Sequence, residues 1–168
     1  MITTYEELEN TLREIMLSTK PNNIDVVFDV ISDNGHTEEE IREMEEIMGT
    51  PLFKDYREFV KHYRSFEVRG DCYVQYDLRD TAEMTVIHHN NSKELDLDFP
   101  QDCYCIGSFE TDLPIFIQSS TTGIVYSCNA HRPKGTMKKI ADNFWEFMNS
   151  EVEYWRNFAA NQNAKGLQ

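Results

Sequence analysis

Thr37 to Tyr63, TEEEIREMEEIMGTPLFKDYREFVKHY, spells two helices and the stop between them. The Thr37 hydroxyl can accept from the amide three residues on, and the Glu40 carboxylate can return the bond, which makes a capping box. Ile41, Met44, Ile47 and Met48 follow at helical spacing, and Gly49 supplies the left-handed residue that commonly closes a helix. Beyond Pro51, residues Phe53, Tyr56, Phe59, Val60 and Tyr63 recur at three and four, while Lys54, Asp55, Arg57, Glu58 and Lys61 fill the other face. That spacing predicts a second amphipathic helix over about 54 to 64.

Upstream, Thr4 and Glu7 repeat the capping pattern ahead of Tyr5, Leu8, Leu12, Ile15 and Met16, so a helix is expected from about 4 to 17. Ile24, Val26, Phe28 and Val30 then alternate with Asp25 and Asp29 like a half-buried strand, before a turn at Asp33-Asn-Gly35. Downstream the period changes to two. Cys72 to Leu78, Cys103 to Ile106, Leu113 to Ile117 and Gly123 to Ser127 read as strands, and Gly123 can take the positive φ of a hairpin loop. Residues 80 to 90 carry both signals, and the capping potential of Asp80-Thr-Ala-Glu83 tips the reading to helix. From about Lys138 an apolar stripe through Ile140, Phe144, Trp145, Phe147, Met148, Val152, Trp155 and Phe158 predicts a last helix, with Trp145 on its core side. The class is α+β: one domain over 1 to 158 and a flexible tail from Ala159 to Gln168.

The 168 residues carry thirty acids against sixteen bases, a formal net charge of -14. That charge opposes direct nucleic-acid binding and points to a cationic protein partner. Residues 1 to 66, 67 to 112 and 113 to 168 contribute -8, -8 and +2, so the charge is concentrated away from the C-terminal third. The N-terminus lacks a basic segment followed by an apolar one, and no apolar run approaches the roughly 18 residues of a membrane helix. A cytoplasmic protein with its four cysteines reduced is the expectation.

The segments Ile41 to Tyr63, Ile106 to Tyr126 and Ile140 to Met148 resemble, in this order, the SUKH superfamily, over about residues 24 to 150. Gly49 resembles its glycine between two helices, Tyr56 and Phe59 its aromatic pair, Gly123 and Tyr126 its hairpin glycine and following aromatic, and Phe144 and Phe147 the pair in its final helix. The chain departs from the pattern at Pro51-Leu52, at Arg64-Ser65 and at Glu110 to Pro114. The superfamily includes immunity proteins of bacterial polymorphic toxin systems and yeast regulators of cell-wall synthesis. The resemblance therefore implies a twisted antiparallel sheet with helices packed largely on one side. It also implies a non-catalytic protein that binds a cognate toxin, or alternatively an intracellular scaffold or regulatory module.

Several constellations have a plainer reading beside the chemical one. Cys103-x-Cys105 with Cys128 and His131 could ligate zinc, but buried structural thiols explain them equally well. Adjacent His88 and His89 diverge on any regular element, which suggests surface histidines. No residues single out a nucleophile with its base, so neither catalytic residues nor a cofactor are expected. The carboxylates of the middle third could serve glycoside hydrolysis or calcium, yet Leu95-Asp-Leu-Asp-Phe99 alternates like an exposed strand edge and lacks the glycine and terminal glutamate of an EF-hand loop. A solvated face is the plain reading. The sharper one is an acidic docking surface for a cationic, nuclease-like toxin, made of Asp71, Asp77, Asp80, Asp96, Asp98 and Asp102 and anchored by Tyr73 and Tyr104.

Overall fold

A computed structural model describes residues 1–19, 28–31, 35–68, 74–75, 77–108, 114–133 and 135–165. Among the described residues, five helices and seven strands follow in the order α1 (Tyr5–Thr19), β1 (Phe28–Ile31), α2 (Glu38–Met48), α3 (Lys54–His62), β2 (Ser65–Val68), β3 (Val74–Gln75), α4 (Leu78–Leu95), β4 (Cys103–Ser108), β5 (Ile115–Ser119), β6 (Val125–Cys128), β7 (Lys138–Ala141) and α5 (Phe144–Lys165). The strands form one antiparallel sheet in sequence order, β1 to β7. The expected α+β class with an antiparallel sheet is what the chain adopts.

Local chemistry sets the helix ends. Thr37 and Glu40 close the capping box on α2, and Gly49 ends it at φ 67°. Thr4 accepts from Glu7 N (3.2 Å) and the Glu7 carboxylate returns to Thr4 N (3.2 Å). The apolar stripes of α1, α2, α3 and α5 meet one sheet face in a core that includes Leu8, Ile41, Tyr56, Phe59, Phe144 and Trp155. Each fully buried large side chain contributes roughly 1.5 to 3 kcal/mol relative to exposure. A smaller cluster occupies the opposite face, where alternation points Cys103, Cys105, Ile115, Ile117 and Cys128 away from the large core. Burial pushes the Cys103 thiol up to about 12 and the Cys128 thiol up to about 11. Cys72 lies outside the described residues.

The hairpin between β5 and β6 needs its glycine twice over. Gly123 has φ 76°, and a Cβ there would meet the Phe53 ring at 2.4 Å. Beneath it runs a buried polar chain. Tyr104 donates to Gln118 Oε1 (2.5 Å) and accepts from Phe53 N (2.9 Å). Gln118 Nε2 donates to Gly123 O (2.8 Å) and to Asp55 Oδ1 (3.0 Å), and Asp55 Oδ2 accepts from Phe144 N, the first amide of α5 (2.8 Å).

Helix α4 differs from the others in lying along the edge of β4. Leu78 and Ala82 enter the large core and Met84 packs on the small cluster. Its remaining buried residues are polar: Thr81, Thr85, His88, His89 and Ser92. Thr85 Oγ1 accepts from Cys105 N (3.0 Å), and His89 Nε2 donates to Cys103 O (2.9 Å). In an antiparallel ladder alternate residues turn their peptide groups away from the neighbouring strand. Two side chains of α4 thus satisfy the outer edge of β4 where no strand among the described residues does.

Several expectations change. Leu78 opens α4 and does not end a strand, and Leu95 to Phe99 is a helix end and turn, not a strand edge. His88 and His89 are 9% and 7% exposed, so they are buried and not surface residues; His88 stacks on Phe99 at 5.4 Å, and burial lowers both pKa values. Ile47 is 53% exposed, because Ile41, Met44 and Met48 already define the buried stripe of α2 and Ile47 falls beside it. Lys138 to Ala141 is a strand, bulged at Ile140, ahead of the last helix. That helix continues to Lys165 with Ala159 buried, so a tail does not begin at 159. Trp145 is half-buried; Trp155 is the core tryptophan. Ile24 and Val26 lie outside the described residues.

One buried acid stands without compensation. Glu151 on α5 is mostly buried, and its Oε2 has no hydrogen-bond partner among the described residues. Burial pushes its pKa up to about 7 from the usual 4.5. Between those values the folded chain keeps a proton that the unfolded chain loses. The stability it contributes is present below the lower value and lost as pH rises through about 7. Glu151→Gln is expected to stabilise the protein by about 1 to 3 kcal/mol near pH 8 and by much less near pH 4.5, read from urea melts at both pH values. An equal gain at both would show that charge burial is not the cause.

Candidate protein-binding surface

The eight residues expected at a docking surface separate into distinct environments. Asp71 and Tyr73 lie outside the described residues. Tyr104 is 0% exposed and belongs to the core network, so it cannot anchor a partner at the surface; a strand covered on both faces hides residues that a half-exposed strand would present. Asp102 accepts from Ser119 Oγ (2.7 Å) and Thr121 Oγ1 (2.8 Å), tying β4 to the β5–β6 hairpin. Burial alone would raise its pKa, but these hydrogen bonds hold the carboxyl below its ordinary value.

The remaining four acids sit at opposite ends of α4. Asp77 is its N-cap, accepting from Arg79 N (2.9 Å), and Asp80 stands in its first turn. Asp96 is its C-cap, and Asp98 follows; both have φ 54°, a left-handed conformation that aspartate tolerates better than most residues. With a rise of 1.5 Å per residue the two pairs are roughly 25 Å apart. They are two acidic poles and not one face.

The N-terminal pole is the larger, because α2 packs against α4 and brings its own carboxylates, which sequence order alone did not associate with Asp77 and Asp80. The acids of α2 divide in two. On one side Glu38 pairs with Arg57 (2.7 Å) and Lys61 (2.5 Å), Glu45 with Arg57 (3.3 Å) and Glu40 with Arg64 (3.1 Å). Glu39, Glu43 and Glu46, by contrast, have no ion pair among the described residues, nor do Asp80 and Glu83 on α4. The Asp80 carboxyl is raised above its ordinary value by burial, then by the negative charges of Asp77 and Glu83. The exposed position of Glu43 on α2 could be foreseen from its helix; its proximity to Glu83 could not.

Among the described residues no group of three or more His, Cys, Asp or Glu side chains is placed to hold a metal ion, and no helix is long and apolar enough to cross a membrane. The geometry is that of an α+β module with a charged helical surface. Residues 35–150 match the model of the SMI1 / KNR4 family (SUKH-1), and the chain belongs to that family. No curated protein matches the chain.

Proposed function

We propose that this chain is an immunity protein of a bacterial polymorphic toxin system, acting in the cytoplasm by binding a cognate cationic toxin and covering its active site. Membership of the SUKH family supports a binding module at the level of the family. The observation that carries the finer reading is the pole of Asp80 and Glu83 beside Glu39, Glu43 and Glu46, none of which has an ion pair among the described residues. Carboxylates left unpaired at that density repel one another in the free protein, and a cationic partner would relieve the repulsion. Asp96 and Asp98, at the far end of α4, extend the acidic surface; Asp71 and Tyr73 remain part of the proposed docking set. Inhibition requires no cofactor, since occlusion together with electrostatic complementarity suffices.

The test is co-purification with the C-terminal domain encoded by the neighbouring reading frame, followed by association kinetics. The triple variant Glu43→Gln, Asp80→Asn, Glu83→Gln should keep or slightly raise the melting temperature. It should also slow association by about five- to tenfold at low salt, a difference that shrinks as ionic strength rises and charges are screened beyond about 8 Å. Wild-type association kinetics at low salt would reduce the pole to a solvated surface. Capture of the neighbour without loss of its activity would favour a scaffold or regulatory module.

A further inference from the structure

Between α2 and α4 lies a groove of about 410 Å³ with an apolar floor of Met44, Ala82 and Val86. Ile47 and Ile87 stand on its two walls, 53% and 41% exposed. Isolated exposed isoleucines are ordinary, but two facing across one groove over an apolar floor form a contiguous patch of the kind that marks binding sites. Glu43 and Glu83 line the same groove, and Glu39 and Glu46 border the adjoining hollow with Arg42. Arg79 is the one cation lining the groove among the described residues. Acids of α2 that turn toward α3 are neutralised by Arg57, Lys61 and Arg64, whereas those on the groove side have no ion pair among the described residues. The patch is thus greasy in the middle and negative at its rim.

We infer that the α2–α4 groove receives an amphipathic helix of a basic partner, with apolar side chains one turn apart seated between Ile47 and Ile87 and Lys or Arg residues against Glu43, Glu46 and Glu83. This deepens the binding reading above and rests on it. Both groove walls are helices whose backbone groups are already bonded internally, so an extended peptide would find no edge to pair with. A guest helix arrives with its own backbone satisfied and needs only side-chain complementarity, which is the helix-in-groove mode of recognition. The chemistry of the rim selects the sign of its charge.

The probe is a leucine–lysine peptide of about four helical turns, with leucines on one face, titrated into the ¹⁵N-labelled full chain; its counterpart with glutamate for lysine is the control. Amide shifts should centre on residues 39 to 47 and 79 to 87 for the lysine peptide and be absent for the glutamate one. The double variant Ile47→Ser, Ile87→Ser should weaken binding at least tenfold. Glu43→Gln with Glu83→Gln should weaken it severalfold at low salt, and Leu17→Ser with Tyr154→Ser, exposed on α1 and α5, should leave it unchanged. The proposal is overturned if the isoleucine variant binds as tightly as wild type, or if no binding occurs. Shifts centred on Asp96 to Asp102 would also overturn it while leaving an acidic docking surface standing. Sedimentation supplies the remaining outcome: a wild-type dimer that the isoleucine variant dissociates would make a second copy of the chain the occupant, and the inference would fail.

Discussion

Trp155→Ala is expected to lower stability by about 3 to 5 kcal/mol, the range for deleting a fully buried large aromatic. Trp155 is 1% exposed and stacks near Phe66 at 6.2 Å, between α5 and the sheet. Neither neighbour can follow the retreating side chain without moving a backbone element, so a cavity stays. Trp145→Ala, on the same helix, should cost no more than about half as much, because Trp145 already faces water on one side and packs mainly on Tyr5 at 5.2 Å. Urea melts of the two variants measure the contrast, and near-equal losses would mean that the buried face of α5 is misassigned.

Asp55→Ala should cost about 3 to 4 kcal/mol, more than a partly exposed acid ordinarily would. Its carboxylate sits where two helices begin, accepting from Tyr56 N (2.7 Å) in α3 and Phe144 N (2.8 Å) in α5 and from buried Gln118 Nε2 (3.0 Å). Removing it strands donors in a poorly hydrated junction, where each unmet group costs about 1 to 3 kcal/mol, and forfeits a favourable charge at two helix N-termini. Asp55→Asn keeps one acceptor oxygen and should lose about half as much. Since Asp55 and Gln118 share one hydrogen-bond chain, the double variant Asp55→Ala, Gln118→Ala should destabilise by clearly less than the two single effects combined. Strict additivity in a denaturant-melt cycle, or a loss below about 1 kcal/mol for Asp55→Ala, would show that the chain does not act as a unit.

What could be read ahead of the structure was whatever is decided locally. The Thr37 capping box, the Gly49 stop and the Gly123 hairpin each depend on neighbours within a few residues, and each formed as expected. Errors arose where distant elements meet. The inner face of α4 lies against a strand edge, whose amides and carbonyls require hydroxyls and imidazoles; His89 therefore reads as a surface residue until Cys103 stands beside it. The strand at Lys138–Ala141 merged with the helix after it because Ile140 happens to fall in phase with the stripe from Phe144. The acidic docking set suffered from the opposite fault: Asp77, Asp80, Asp96 and Asp98 are close in sequence, and an eighteen-residue helix carries them to opposite ends.

The way α4 closes β4 has a consequence for how the molecule fails. If α4 peels away, the freed peptide groups at Cys103 and Cys105 are offered to any other chain in the same condition, flanked by Tyr104 and Ile106, a short, uncharged stretch of strand-forming residues. Heat damage should accordingly begin as clumping seeded by this strand and set in before the rest of the core melts. Thr85→Val, which keeps the shape and removes the hydroxyl that meets Cys105 N, should then make heating less reversible by more than its loss of about 1 to 3 kcal/mol in stability accounts for.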